Sequence, residues 1–132
     1  MPNHGRRLSL QTILAVDAAT CVALGMLLVF ASGPISVITA IPGSLLFFAG
    51  LLLLPIAVFM VIFTQTATVP AWAVQVIVAG NVLWVLGSTI LPVTGLIAPN
   101  GLGWLFLLGQ AAVVALFAGL EWAARQQSAA VA

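Results

Sequence analysis

LSLQTILAVDAATCVALGMLLVF, residues Leu8 to Phe30, is a predominantly apolar stretch with one acid, Asp17, inside it and Arg6 and Arg7 just before it. A hydrocarbon core about 30 Å thick requires roughly 20 apolar residues in helical form. The stretch supplies that length, and so do Ser44 to Thr64, Val69 to Leu91 and Leu102 to Ala124. Four such runs predict an all-α integral membrane protein with four transmembrane helices, forming a single domain over residues 1–132.

Composition leads to the same class. The chain is 64% hydrophobic and 4% charged, with a formal net charge of +1, whereas about a quarter of the residues of a soluble domain are charged. Nucleic-acid binding is excluded as an expectation, because it needs a basic stripe to neutralise phosphates. The lone Cys21 has no partner for an intramolecular disulfide.

The arginines set the expected orientation. Positively charged residues beside membrane spans stay cytoplasmic, so Arg6 and Arg7 place the N-terminus inside, and four spans return the C-terminus with Arg125 to the same side. Trp72 and Trp122 then fall at the cytoplasmic ends of spans three and four, and Trp104 at the outer end of span four, as in an aromatic belt. The expected home is a bacterial inner membrane. Short connections at Ala31–Gly43, Gln65–Thr68 and Pro92–Gly101 leave no room for a crossover, which predicts an antiparallel up-down bundle. Pro34 is expected to open a short turn or helix over Pro34–Ile41 at the outer surface. Pro55 deprives the Leu51 carbonyl of a backbone donor and predicts a kink in span two, with Gly50 beside it as a hinge residue or part of a static bend.

Asp17 lies roughly 13 Å into the first span at 1.5 Å per residue, too deep for a short side chain to reach the surface. An acid there costs about 2.5 to 3.5 kcal/mol on insertion. It must take up a proton, serve a ligand, or make a fixed interhelical hydrogen bond. Thr20, Cys21 and Gly25 share its helical face on the outward side, while Ile13 and Leu14 wall it below. Span three carries Asn81, Trp84 and Ser88 on one stripe. Span four aligns Gln110, Val114, Phe117 and Glu121, because eleven residues make about three turns. Asn81 and Gln110 are expected near the midplane, and Asp17 and Glu121 nearer the cytoplasm, together forming a polar track. The candidate ligand- or proton-binding residues are thus Asp17, Asn81, Trp84, Gln110 and Glu121. Each has a structural alternative: Asn81 and Gln110 as interhelical glue, Trp84 as core filling with a bonded N–H, and Glu121 as the i,i+4 partner of Arg125.

Ala111, Ala115, Gly119 and Ala123 form a second, angularly separate stripe of small residues, which lets another helix approach closely. It points to packing within the bundle, to a homo-oligomer, or to a larger membrane complex.

No metal or cofactor site is expected. The only histidine, His4, is in the N-terminal tail, and no cluster of His, Cys or carboxylate ligands accompanies it. A Ser–His–acid set, a CxxC pair and a phosphate-cradling glycine loop with lysine are all absent from the sequence, so enzyme activity is not expected.

An acid in the first of four short helices and a tryptophan in the third, here Asp17 and Trp84, resemble the architecture of small multidrug-resistance transporters. The resemblance covers no extended motif, and the chain carries Asp where that family carries Glu. It implies transport of a cationic or apolar molecule with Asp17 as the coupling site. More broadly the chain resembles small four-helix proteins of bacterial inner membranes, which implies no activity. Two functions follow as expectations: binding or transport of an apolar or cationic small molecule, proton-coupled through Asp17, or a non-catalytic accessory subunit of a larger membrane complex.

Overall fold

The computed structural model describes residues 9–131, all of whose regular structure is helical. Its elements are α1 (Leu10–Thr39), α2 (Gly43–Thr64), α3 (Ala71–Val93) and α4 (Gly101–Val131). All four are long and apolar enough to cross a membrane. Arg6, Arg7 and His4 lie outside the described residues.

Each helix begins at a local signal. Ser9 caps α1, its hydroxyl accepting from the Thr12 amide at 3.1 Å, which satisfies one of the free N–H groups of the first turn. Pro42 and Pro70 precede α2 and α3 with extended ψ of 131° and 144°. Asn100 starts α4: its Oδ1 accepts from the Gly103 amide at 2.9 Å, while its Nδ2 donates to the Ile38 carbonyl, also at 2.9 Å. One side chain therefore caps α4 and ties it to the end of α1.

The connection from Ala31 to Gly43 is largely helical, the second of the two forms, turn or helix, expected after Pro34. Pro34 has no N–H to give the Phe30 carbonyl and its ring crowds that carbonyl. The helix opens at Ala31, with φ −121° and ψ 22°, and then resumes to Thr39. It ends at Ala40, which adopts a left-handed φ of 58° and donates its N–H to the Ser36 carbonyl at 2.9 Å. By contrast α2 continues as one helix through Pro55.

The extensive helix contacts are α1 with α2, α3 with α4, and α1 with α4. No comparable packing joins α2 to α3. Two glycines set the α1–α2 crossing. A Cβ on Gly50 would lie 2.8 Å from both the Gly25 carbonyl oxygen and Leu28 Cβ, and one on Gly25 would lie 3.1 Å from the Gly50 oxygen. The backbones meet there because neither residue has a side chain. Gly50 thus serves close approach rather than a hinge.

Leu14, Leu28, Met60 and Val74 form the innermost packing, each 2% exposed or less. Phe59, Phe63 and Trp72 stack edge to face where α2 turns into α3. Around this narrow core the surface is apolar: Phe30 is 77% exposed, Leu96 73% and Leu105 69%. Such a surface is what a hydrocarbon solvent, and not water, accommodates.

Candidate functional site

Three helices bring their polar residues to one buried point. Asp17 is in the second turn of α1, Asn81 is midway along α3, and Glu121 is eleven residues beyond Gln110 on α4. Asn81 Nδ2 donates to Glu121 Oε1 at 2.9 Å and to Asp17 Oδ2 at 3.2 Å. An amide nitrogen has two protons, so Asn81 spends both on the two carboxyl groups. Glu121 is wholly buried and Asp17 is 2% exposed. The Cys21 thiol donates weakly to Asp17 Oδ1 at 3.7 Å.

The sequence reading of Glu121 as the i,i+4 partner of Arg125 is corrected here. Glu121 turns inward to Asn81, and Arg125 lies with its guanidinium 4.9 Å from the Trp122 ring centroid. Glu121 Oε2 and Arg125 Nε are each buried without a hydrogen-bond partner. Arg125 is the one basic side chain among the described residues, and it is not bonded to either buried acid.

Buried carboxylates in this arrangement cannot both remain charged without a counter-ion, since each loses its hydration and each repels the other. Glu121 Oε2 has no partner of its own, and a proton or a cation would offset the repulsion. The arrangement is therefore able to store and exchange protons or bind a positive group.

Further along α3, a second set is linked separately. Trp84 Nε1 donates to Gln110 Oε1 at 2.6 Å, and Gln110 Nε2 donates to Ser88 Oγ at 2.8 Å and to the Leu107 carbonyl at 2.9 Å. The single polar track expected from the sequence is thus two clusters, one acidic and one neutral. Asn81 belongs with the acids rather than with Gln110 at a separate level. Ile13 and Leu14, 4% and 0% exposed, pack one turn before Asp17.

A cleft of about 400 Å³ opens onto the acidic cluster. It is lined by Asp17, Cys21 and Asn81, by apolar residues of α2 and α3 such as Leu53, Ile56 and Ile77, and by Trp84. The opening follows from the weak packing of α2 on α3. Gly25, on the helical face of Asp17, is taken up by the α1–α2 crossing.

The small-residue stripe divides. Ala111 is buried, whereas Ala115, Gly119 and Ala123 are exposed, and a Cβ on Gly119 would meet nothing within 4 Å. No group of three or more metal-ligating side chains is present among the described residues.

No protein-family model, curated protein or solved structure matches this chain. The role of the cluster has to be read from its own chemistry. Sequence reasoning named its members and missed the hub position of Asn81. Its three-residue spacing from Trp84 gave the shared stripe but not which neighbour each side chain meets.

Proposed function

We propose that the four helices cross a bacterial inner membrane as an antiparallel up-down bundle with both termini cytoplasmic, and that the bundle binds an apolar cation in exchange for a proton. The supporting observation is that Asp17 and Asn81 line an apolar cleft, with Glu121 buried behind them and no cation among the described residues bonded to either acid. A ligand with a delocalised or poorly hydrated positive charge loses little on leaving water and gains the carboxyl pair. Arrival of the cation releases the proton, and departure restores it. Asp17 meets the ligand, Glu121 keeps the shared proton, Asn81 holds the two acids in register, and Trp84 presents an aromatic wall able to attract a cation. The Gln110 link fixes that wall.

The test is tetraphenylphosphonium binding to the protein in lipid nanodiscs, measured by calorimetry in two buffers of different ionisation enthalpy. Binding accompanied by proton release, lost in Asp17→Asn, is expected. Unchanged affinity and unchanged proton release in Asp17→Asn would remove this reading.

A second reading rests on a different observation. The exposed face at Ala115, Gly119 and Ala123 is suited to another helix, in a second copy or a larger membrane complex. Leucine at Ala115 and Gly119 should then release the protein from its assembly in native mass spectrometry of gently extracted membranes. Retention of the assembly by the double variant would exclude this contact.

A further inference from the structure

Beyond the acidic cleft, a second cavity of about 250 Å³ continues along the same α2–α3 side. The two share Leu24, Leu52 and Trp84 in their walls, so they adjoin at these residues, and a ligand long enough to pass them would use the pair as one passage. The second cavity runs past Leu28 on α1, Leu45 on α2 and Gly87 and Leu91 on α3. Its polar neighbours there, Ser88 and Gln110, are already bonded to each other. One end of the passage therefore carries the Asp17 carboxyl, and the other is lined by apolar side chains apart from Trp84, Ser88 and Gln110, whose polar groups are bonded to one another.

Its side is open to the surroundings of the helices. Leu52 and Leu83, which line the second cavity, are 55% and 67% exposed, and Val76, which lines the first, is 54% exposed. A molecule approaching laterally between α2 and α3 meets only apolar side chains until it reaches Asp17 and Asn81. Polarity along the passage thus matches a ligand with a positive head and an apolar tail. A compact cation would fill the first cavity and leave the second empty, whereas an ordinary zwitterionic lipid would bring a phosphate toward the carboxyl pair.

Resting on the cation-binding reading above, we infer that the ligand is a single-chain amphiphilic amine, with its ammonium at Asp17 and its tail lying in the second cavity along α1 toward Leu28. Asp17 to Leu28 spans eleven residues, roughly 16 Å at 1.5 Å per residue. An extended chain advances roughly 1.2 Å per bond, given about 3.5 Å per three-bond residue. A tail of about a dozen carbons therefore reaches the far end. The head binds as the protonated amine; one carboxyl O–H bond breaks, its proton passes to water, and the carboxylate left behind balances the ammonium charge.

The experiment is photolabelling of the full chain in nanodiscs of zwitterionic lipid, using dodecylamine with a diazirine at the tail end. Adducts are expected at the second cavity, on Leu28, Leu45, Leu91 or Phe106, and should fall at least tenfold with excess dodecylamine and in Asp17→Asn. In Gly87→Leu, whose added side chain starts from open space on the cavity wall, the ratio of dodecylamine labelling to tetraphenylphosphonium binding should drop about tenfold. Adducts spread over outward residues such as Phe48 and Leu105, insensitive to Asp17→Asn, would overturn the amphiphile assignment. If tetraphenylphosphonium still bound through Asp17 in that case, the cation reading would stand alone. Loss of both signals would remove the two together.

Discussion

The side-chain amide of Asn81 on α3 donates to the carboxyl of Glu121 on α4 at 2.9 Å, in a region from which solvent is excluded. The same nitrogen reaches Asp17 on α1 at 3.2 Å, so removing one amide orphans two carboxyl groups. Leaving buried polar groups unpaired costs about 1–3 kcal/mol each. Asn81→Leu should therefore lower unfolding stability in detergent by about 2 kcal/mol or more. A double-mutant cycle of Asn81→Ala with Glu121→Ala should show a coupling above about 0.5 kcal/mol. Additive losses would mean that the two side chains do not hold each other.

Gly25 and Gly50 make a different kind of contact, fixed by the absence of side chains. Gly50→Ala pushes a methyl group against the Gly25 carbonyl and Leu28 Cβ at 2.8 Å. Backbone cannot yield as a flexible side chain can, and overpacking of this kind costs about 1–3 kcal/mol. Gly119→Ala, which enters open space, should stay within about 0.5 kcal/mol of the parent. Measuring both variants by thermal unfolding separates close packing from a general effect of replacing glycine.

Asn100 joins a cap to a long-range tie. Asn100→Ala removes the acceptor for the Gly103 amide and the donor to the Ile38 carbonyl. Loss of an N-cap costs about 0.5–2 kcal/mol. Faster hydrogen exchange is expected at Gly103 and in the last turn of α1, with little change at the Phe59–Trp72 end. Uniform acceleration along the chain would show that Asn100 has no local role.

The helices were legible because each span writes its length and apolarity into contiguous residues. The expected second span, Ser44 to Thr64, and the observed α2 differ by one residue at the start. The polar stripe on α3 was legible for the same reason, since periodicity within one helix needs no partner. What the sequence did not reveal was which stripes meet. Glu121 has Arg125 four residues away and Asn81 forty, and nearness along the chain favoured the former. Burial decided otherwise, because an inward carboxyl gains more from an amide it can reach than an exposed pair gains from partial charge compensation. Likewise Pro34 marked a break followed by a turn or short helix, while the end of that helix depended on the Ala40 left-handed cap and on contacts with Asn100.

Proton and cation compete for the same carboxyl pair, and the sign of the pH effect follows. In the proposed exchange, binding the cation releases at least one proton from the carboxyl pair. Mass action then makes lower pH oppose binding and higher pH favour it, up to the point where the pair has no proton left to release. Affinity for tetraphenylphosphonium should rise by up to tenfold per pH unit for each proton released, because one proton per bound cation gives a linkage slope of one. Asp17→Asn removes one charge and should abolish both binding and the slope. Glu121→Gln keeps Asp17 and its Asn81 contact but removes the shared proton, so cation binding should persist with a slope reduced toward zero. A full slope in Glu121→Gln would place the exchanged proton on Asp17 alone and confine Glu121 to holding Asn81.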